Sequence, residues 1–187
     1  MITAIDKNTA LILIDLQNSV IGLPVVHPID EILDNANKLI AAFREKNLPI
    51  IIVNVKPKDA AWIKSRKEVK MPPHSDDENL YKITDRLGTS SDDIFITKHT
   101  WNAFFETSLN DELRDRDITG IVFGGVSTSI GVEGTARAAS ELGYNISFAI
   151  DAITDRTKEA HERSVQFIYP RLGEIGNTQE IIQMMNK

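Results

Sequence analysis

The sequence predicts an α/β fold of three layers, α-β-α, built on a mainly parallel, doubly wound central sheet. Two observations carry this expectation. The apolar runs at 10–14 and 50–53 are continuous rather than alternating, and a strand that is apolar on both faces belongs in a parallel sheet covered by helices on either side. Such runs alternate along the chain with stretches of helical periodicity, which implies right-handed crossovers within one sheet. A chain of 187 residues fits a single domain, 1–187, with room for a sizeable core.

The elements follow in order. Thr9 to Asp15 is a buried strand that ends on a carboxylate. Asp30 is placed to cap a helix running to about Lys46, with Ile32, Leu33, Ala36, Leu39, Ile40 and Phe43 as its inner stripe. Pro49 to Val55 is a second buried strand, and Asp93 to Thr97 a short third one leading into Lys98. A helix around Asn110–Arg116, a strand at Gly120–Gly124, a helix at Gly131–Leu142 and a strand at Asn145–Ile150 continue the alternation. A helix from about Lys158 to Tyr169 is expected to stop at Pro170, and a last helix holds Ile181, Ile182 and Met185. Pro57 to Gly88 reads as irregular, with a basic start in which Lys56, Lys58, Lys64, Arg66, Lys67 and Lys70 face only Asp59 and Glu68. Such a segment is either a solvated surface loop or a lid over the active rim.

Composition narrows the function classes. The net charge of −6 argues against a general nucleic-acid binder, whose phosphate contacts favour a basic surface. There is no cysteine, so disulfides, thiolate metal sites and a cysteine nucleophile are all excluded. No apolar run approaches the roughly 20 residues that span a bilayer, and Met1 to Asn8 is not an apolar leader. A cytoplasmic protein with a small-molecule partner is expected, with no nucleic-acid or membrane partner.

In a doubly wound sheet, ligands bind beyond the carboxyl ends of the strands. That rule brings Asp15, Lys98 and the turn Gly124–Gly131 to one rim. Lys98 beside a strand-end carboxylate would hold it ionised or position a substrate oxygen. Gln17 follows Asp15 in a polar turn, and Trp101 and Phe104 follow Lys98; these three are candidates for the substrate pocket. The turn through Val126, Ser127 and Gly131 joins a buried strand to a helix, where backbone N–H groups can face an oxyanion. It lacks the P-loop lysine and is not GxSxG. Ser127, Thr128 and Ser129 have no histidine near them in sequence, which disfavours a hydroxyl nucleophile. His27, His74, His99 and His161 form no HxH or HExxH pair, so neither a metal site nor any other cofactor is expected.

Three segments in order, Ala10–Gln17, Lys98–Phe104 and Gly125–Arg137, resemble the isochorismatase-like hydrolases, a superfamily that includes nicotinamidases and N-carbamoylsarcosine amidase. The trailing Gly143–Tyr144 and Asp151–Ala152 extend the likeness over nearly the whole chain. The resemblance implies that Asp15 and Lys98 are catalytic and that the family's cysteine nucleophile falls on Gly131. The covalent thioester route is then closed. What it implies instead is the chemistry of members with glycine at this place, a metal-free, non-covalent vinyl-ether hydrolysis of a small carboxylated metabolite, with the aspartate as general acid. The alternative is a catalytically silent member acting as a small-molecule binding or assembly protein. The resemblance also implies a cis peptide between Val126 and Ser127 and a homo-oligomer. The nicotinamidase metal motif is replaced by Asn54–Val55–Lys56.

Overall fold

In a computed structural model of the chain, the structure describes residues 1–57, 60–69 and 75–187. Six strands form one sheet: β1 (Thr9–Ile14), β2 (Ile50–Val55), β3 (Ile94–Lys98), β4 (Gly120–Val126), β5 (Asn145–Thr154) and β6 (Glu174–Gly176). Their order is β3-β2-β1-β4-β5-β6, and every neighbouring pair is parallel. All six residues of β1 are buried, as its continuous apolar run requires. The sheet divides the core in two. Ile12, Ile14, Val53 and Phe123 point to one face, and Leu11, Leu13, Ile52 and Val122 to the other.

The helices are α1 (Asn18–Ile21), α2 (Ile29–Glu45), α3 (Leu109–Arg114), α4 (Glu133–Glu141), α5 (Lys158–Arg163), α6 (Tyr169–Leu172) and α7 (Thr178–Met185). The stripe expected on α2 is buried, and its residues pack with Leu11, Leu13 and Ile181. Ala136 and Ala139 of α4 pack on the opposite face with Leu109 and Leu113 of α3.

Several expected boundaries move. Helix α2 starts at Ile29, so Asp30 lies in its first turn and pairs with Arg86 at 2.6 Å instead of capping. The turn after β4 is a wide π-helical one, Thr128–Val132, and α4 begins only after it. Pro170 does not end a helix. The chain after α5 widens into a π turn, Ser164–Ile168, and Pro170 sits in the opening turn of α6, where a missing N–H costs nothing. Strand β5 runs four residues past its expected end, across a register shift opposite Phe123 and Gly125. The short strand β6, not expected from the sequence, closes the sheet edge.

Strand order reverses between β1 and β4, one continuing to β2 and the other to β5. The crevice at such a reversal is where doubly wound sheets bind ligands. Asp15 leaves β1 there, and Ser127 leaves β4.

Candidate active site

The strands approach closely at the reversal. Gly125 has φ of 114°, and a Cβ on it would stand 2.1 Å from the Ile14 carbonyl oxygen, so no side chain fits. The next residue on the β1 side, Asp15, takes the left-handed conformation with φ of 53°. Few residues other than glycine sit there, and in ordered structures such positions gather at functional sites. The bend turns the Asp15 side chain into the crevice, where it is 6% exposed.

Lys98 arrives from the end of β3, 1% exposed, and donates to Asp15 Oδ2 at 2.8 Å and to the Thr100 carbonyl at 3.1 Å. Asp15 Oδ1 is buried and has no hydrogen-bond partner among the described residues. Burial pushes the Asp15 carboxyl up to about 6, against the lowering pull of the Lys98 charge and of its hydrogen bond. Desolvation therefore outweighs the ion pair, as it can when a charge is taken wholly out of water. A carboxyl that titrates near neutrality can hold a proton for transfer or give one up, as a general acid must.

Gly131 completes the cluster. A Cβ placed on it would stand 3.2 Å from Asp15 Oδ2, 3.0 Å from Ile14 Cγ2 and 3.3 Å from the Val126 carbonyl oxygen. The Val126–Ser127 bond is cis. Asp15, Lys98, Gly131 and the turn expected from the sequence thus share one place in the fold.

The other candidate residues fare differently. Gln17 is fully buried, and its amide is spent on the protein: Oε1 accepts from Val55 N at 2.7 Å, and Nε2 donates to the Val55 carbonyl and to Ser19. It ties the end of β1 to the end of β2 and has little left for a substrate. Phe104 stacks on Tyr144 with ring centres 6.1 Å apart and packs against the core. Trp101 is half exposed on the rim, beside Phe105. Three N–H groups of the turn are also committed, since Ser129 donates to Asp155 at 2.7 Å, and Ile130 and Val132 to the Ser127 carbonyl. The room for an oxyanion hole is correspondingly smaller than the sequence implies.

Sequence reasoning missed the groups that pin this turn. Thr135 donates to the Gly131 carbonyl at 2.7 Å and accepts from Ala103 N, joining the turn to the segment after Lys98. His161 Nδ1 lies 2.8 Å from Thr128 Oγ1, and Tyr169 donates to the Thr128 carbonyl at 2.9 Å. A histidine therefore does neighbour the hydroxyl cluster in space, 33 residues away in sequence. Thr128 is wholly buried, so the pair fastens the turn and is closed to a substrate. Glu133 accepts from Arg137, Arg163 and Ser164 and anchors the start of α4.

Among the described residues, no group of three or more histidines, aspartates or glutamates is gathered to hold a metal. At the replaced metal motif, Asn54 bonds Tyr81 and Thr97, and Lys56 pairs with Glu78 at 2.7 Å. His74, Lys58, Asp59 and Lys70 lie outside the described residues. No helix among the described residues is long and apolar enough to cross a membrane.

The Isochorismatase domain model matches residues 9–180. The chain belongs to the isochorismatase family of hydrolases. It is 39% identical over 184 residues to the uncharacterized isochorismatase family protein YecD of Escherichia coli O157:H7, covering 96% of this chain and 97% of the relative. YwoC of Bacillus subtilis strain 168, another uncharacterized isochorismatase family protein, is 36% identical over 185 residues, covering 96% and 95% of the two chains. A solved isochorismatase family protein from Burkholderia thailandensis superposes with a TM-score of 0.95 at 32% identity, over the full length of both chains. The isochorismatase-family fold thus extends over the whole chain, including β6.

Proposed function

We propose that the chain is a metal-free, non-covalent hydrolase of a small carboxylated metabolite, with Asp15 as general acid. The observation that carries this reading is the Asp15 carboxyl: buried, paired through one oxygen with Lys98, without a partner on the other among the described residues, and titrating near neutrality. An orphaned buried oxygen is costly unless a proton or a ligand group meets it. On an enol ether, Asp15 delivers its proton to the terminal vinyl carbon, and the ether oxygen's lone pair forms an oxocarbenium ion. Water adds to the cationic carbon and returns a proton to the Asp15 carboxylate. The hemiketal then collapses to an alcohol and a keto acid. Lys98 keeps the carboxylate oriented and stabilises its ionised form after the proton has left.

The absence of cysteine supports a route without a thioester, and the close approach of Ile14, Asp15 and Val126 to Gly131 supports a site built without a side chain there. We place the enzyme in the cytoplasm as one domain, and as a homo-oligomer. Exposed Ile130 and Phe167, carried on two turns that touch, are apolar surface suited to a subunit contact. The test is a screen of wild type against Asp15→Asn on enol-ether carboxylates, simple amides and nicotinamide. Hydrolysis of an enol ether by the wild type alone supports the reading. A wild type that binds these compounds but turns none over identifies a silent binding or assembly protein instead.

A further inference from the structure

Beside the catalytic pair, on the solvent side of the segment after Lys98, lies an open cavity of about 410 Å³ lined by Trp62, Lys67, Thr100, Trp101, Asn102 and Phe105. Neither Asp15 nor Lys98 lines it. Trp62 and Trp101 meet edge to face with ring centres 6.0 Å apart, and Trp62 Nε1 donates to the His99 carbonyl at 2.6 Å, which fixes its ring. Trp101 and Phe105 are 53% and 52% exposed, an unusual amount of aromatic surface to leave in water. Lys67 holds its ammonium 5.1 Å from the centre of the Trp62 ring.

The charge at this cavity decides what it suits. Lys67 donates to the Trp62 carbonyl, to Ser65 Oγ at 2.7 Å and, in a long contact, to the Ser65 carbonyl at 3.4 Å. These acceptors are neutral, and among the described residues no carboxylate pairs with Lys67. Lys64 and Arg66 stand exposed in the same segment of a chain whose net charge is −6. Flat aromatic faces favour a planar group, and an ammonium at their edge that meets only neutral acceptors among the described residues favours an anion on it.

We infer that Trp62, Trp101, Phe105 and Lys67 form a binding site for a planar anionic ligand, an aromatic or conjugated carboxylate, outside the Asp15–Lys98 pair. The ring lies against the tryptophans and Phe105, and the carboxylate takes the donor that Lys67 now spends on the distant Ser65 carbonyl. The site gives the basic segment of the long insertion a function. It also lies against Thr100, whose carbonyl holds Lys98, so an occupant touches the segment that positions the catalytic lysine. The inference does not depend on Asp15 being an acid.

The chain has two tryptophans, and both line this cavity, so intrinsic fluorescence reads it directly. The full-length protein is titrated with benzoate, benzamide and benzylamine, each corrected against free tryptophanamide. Benzoate should give a saturable change with affinity at least about tenfold above that of benzamide, and benzylamine none. Lys67→Met should erase the preference for benzoate over benzamide, and Phe105→Ala should weaken both. Asp15→Asn should keep the preference for benzoate over benzamide, which Lys67 and not the Asp15–Lys98 pair supplies, and this separates the inference from the hydrolase reading. Equal binding of benzoate and benzamide, an unchanged preference in Lys67→Met, or no saturable change would overturn it. A fluorescence change that follows protein concentration and ignores benzoate would also overturn it, placing a second copy of the chain on this face.

Discussion

Replacing Asp15 by asparagine tests whether burial or the ion pair governs the site, and the two answers differ in sign. The Asp15 carboxyl is raised from 3.8 to about 6 in the folded chain, with burial the largest cause. A group that holds its proton more tightly when folded stabilises the fold fully below its unfolded value, and that contribution disappears as pH rises through the folded value. The full shift corresponds to about 3 kcal/mol. Between about pH 4.5 and pH 8 the portion lost is about 2 kcal/mol. Asparagine does not titrate, so the unfolding free energy of wild type minus that of Asp15→Asn should fall by about that amount over this range. Urea titrations at a series of pH values measure it, read as midpoints at constant m-value. A flat difference, or one that grows with pH, would mean that Lys98 compensates the buried charge, and the near-neutral acid would be lost with it.

Five other outcomes follow from the same geometry. Gly131→Ala places a Cβ 3.0–3.3 Å from Ile14, Asp15 and Val126, so it should lose about 1–3 kcal/mol in urea melts through overpacking, while Gly131→Cys should lower native turnover without creating amide hydrolysis. Thr128→Val strips a wholly buried His161 contact and should cost about 1–3 kcal/mol in the same melts. Glu133→Gln, which removes a charge shared by Arg137, Arg163 and buried Ser164, should cost about 2 kcal/mol. Hydrolysis should be indifferent to iodoacetamide, since there is no cysteine to alkylate, and to EDTA; activity lost on chelation and restored by zinc would expose a metal site.

What the sequence revealed of this fold lay where burial leaves a local mark. Strand β1 from Ala10 to Ile14 and the first four residues of β2 are buried on both faces and therefore read as unbroken aliphatic runs. Asp15 stood out because it breaks such a run at a strand end, Lys98 because it closes the short strand β3, and the rule for doubly wound sheets brought them together. The three residues of β6 carry no pattern of their own and pair only because β5 offers them an edge. Gln17 and Phe104 stood as pocket candidates without a sign of which way their side chains turn. A polar or aromatic residue beside a catalytic one looks the same in sequence whether it faces the crevice or turns inward, and partners at Val55 and Tyr144 turn these two inward. The contact between His161 and Thr128 joins separate turns across the tertiary fold, and no spacing rule reaches it.

If Asp15 gives its proton to carbon, the isotope in the product reads that step. Wild type and Asp15→Asn are incubated in D₂O with an enol-ether carboxylate that the wild type hydrolyses, isochorismate first, and the keto acid is followed by proton NMR. Proton delivery by Asp15 should leave a single deuterium in the product's new methyl group, with turnover reduced at least about a hundredfold in Asp15→Asn. A methyl group free of deuterium at early times, or an Asp15→Asn variant that keeps wild-type turnover, would contradict it.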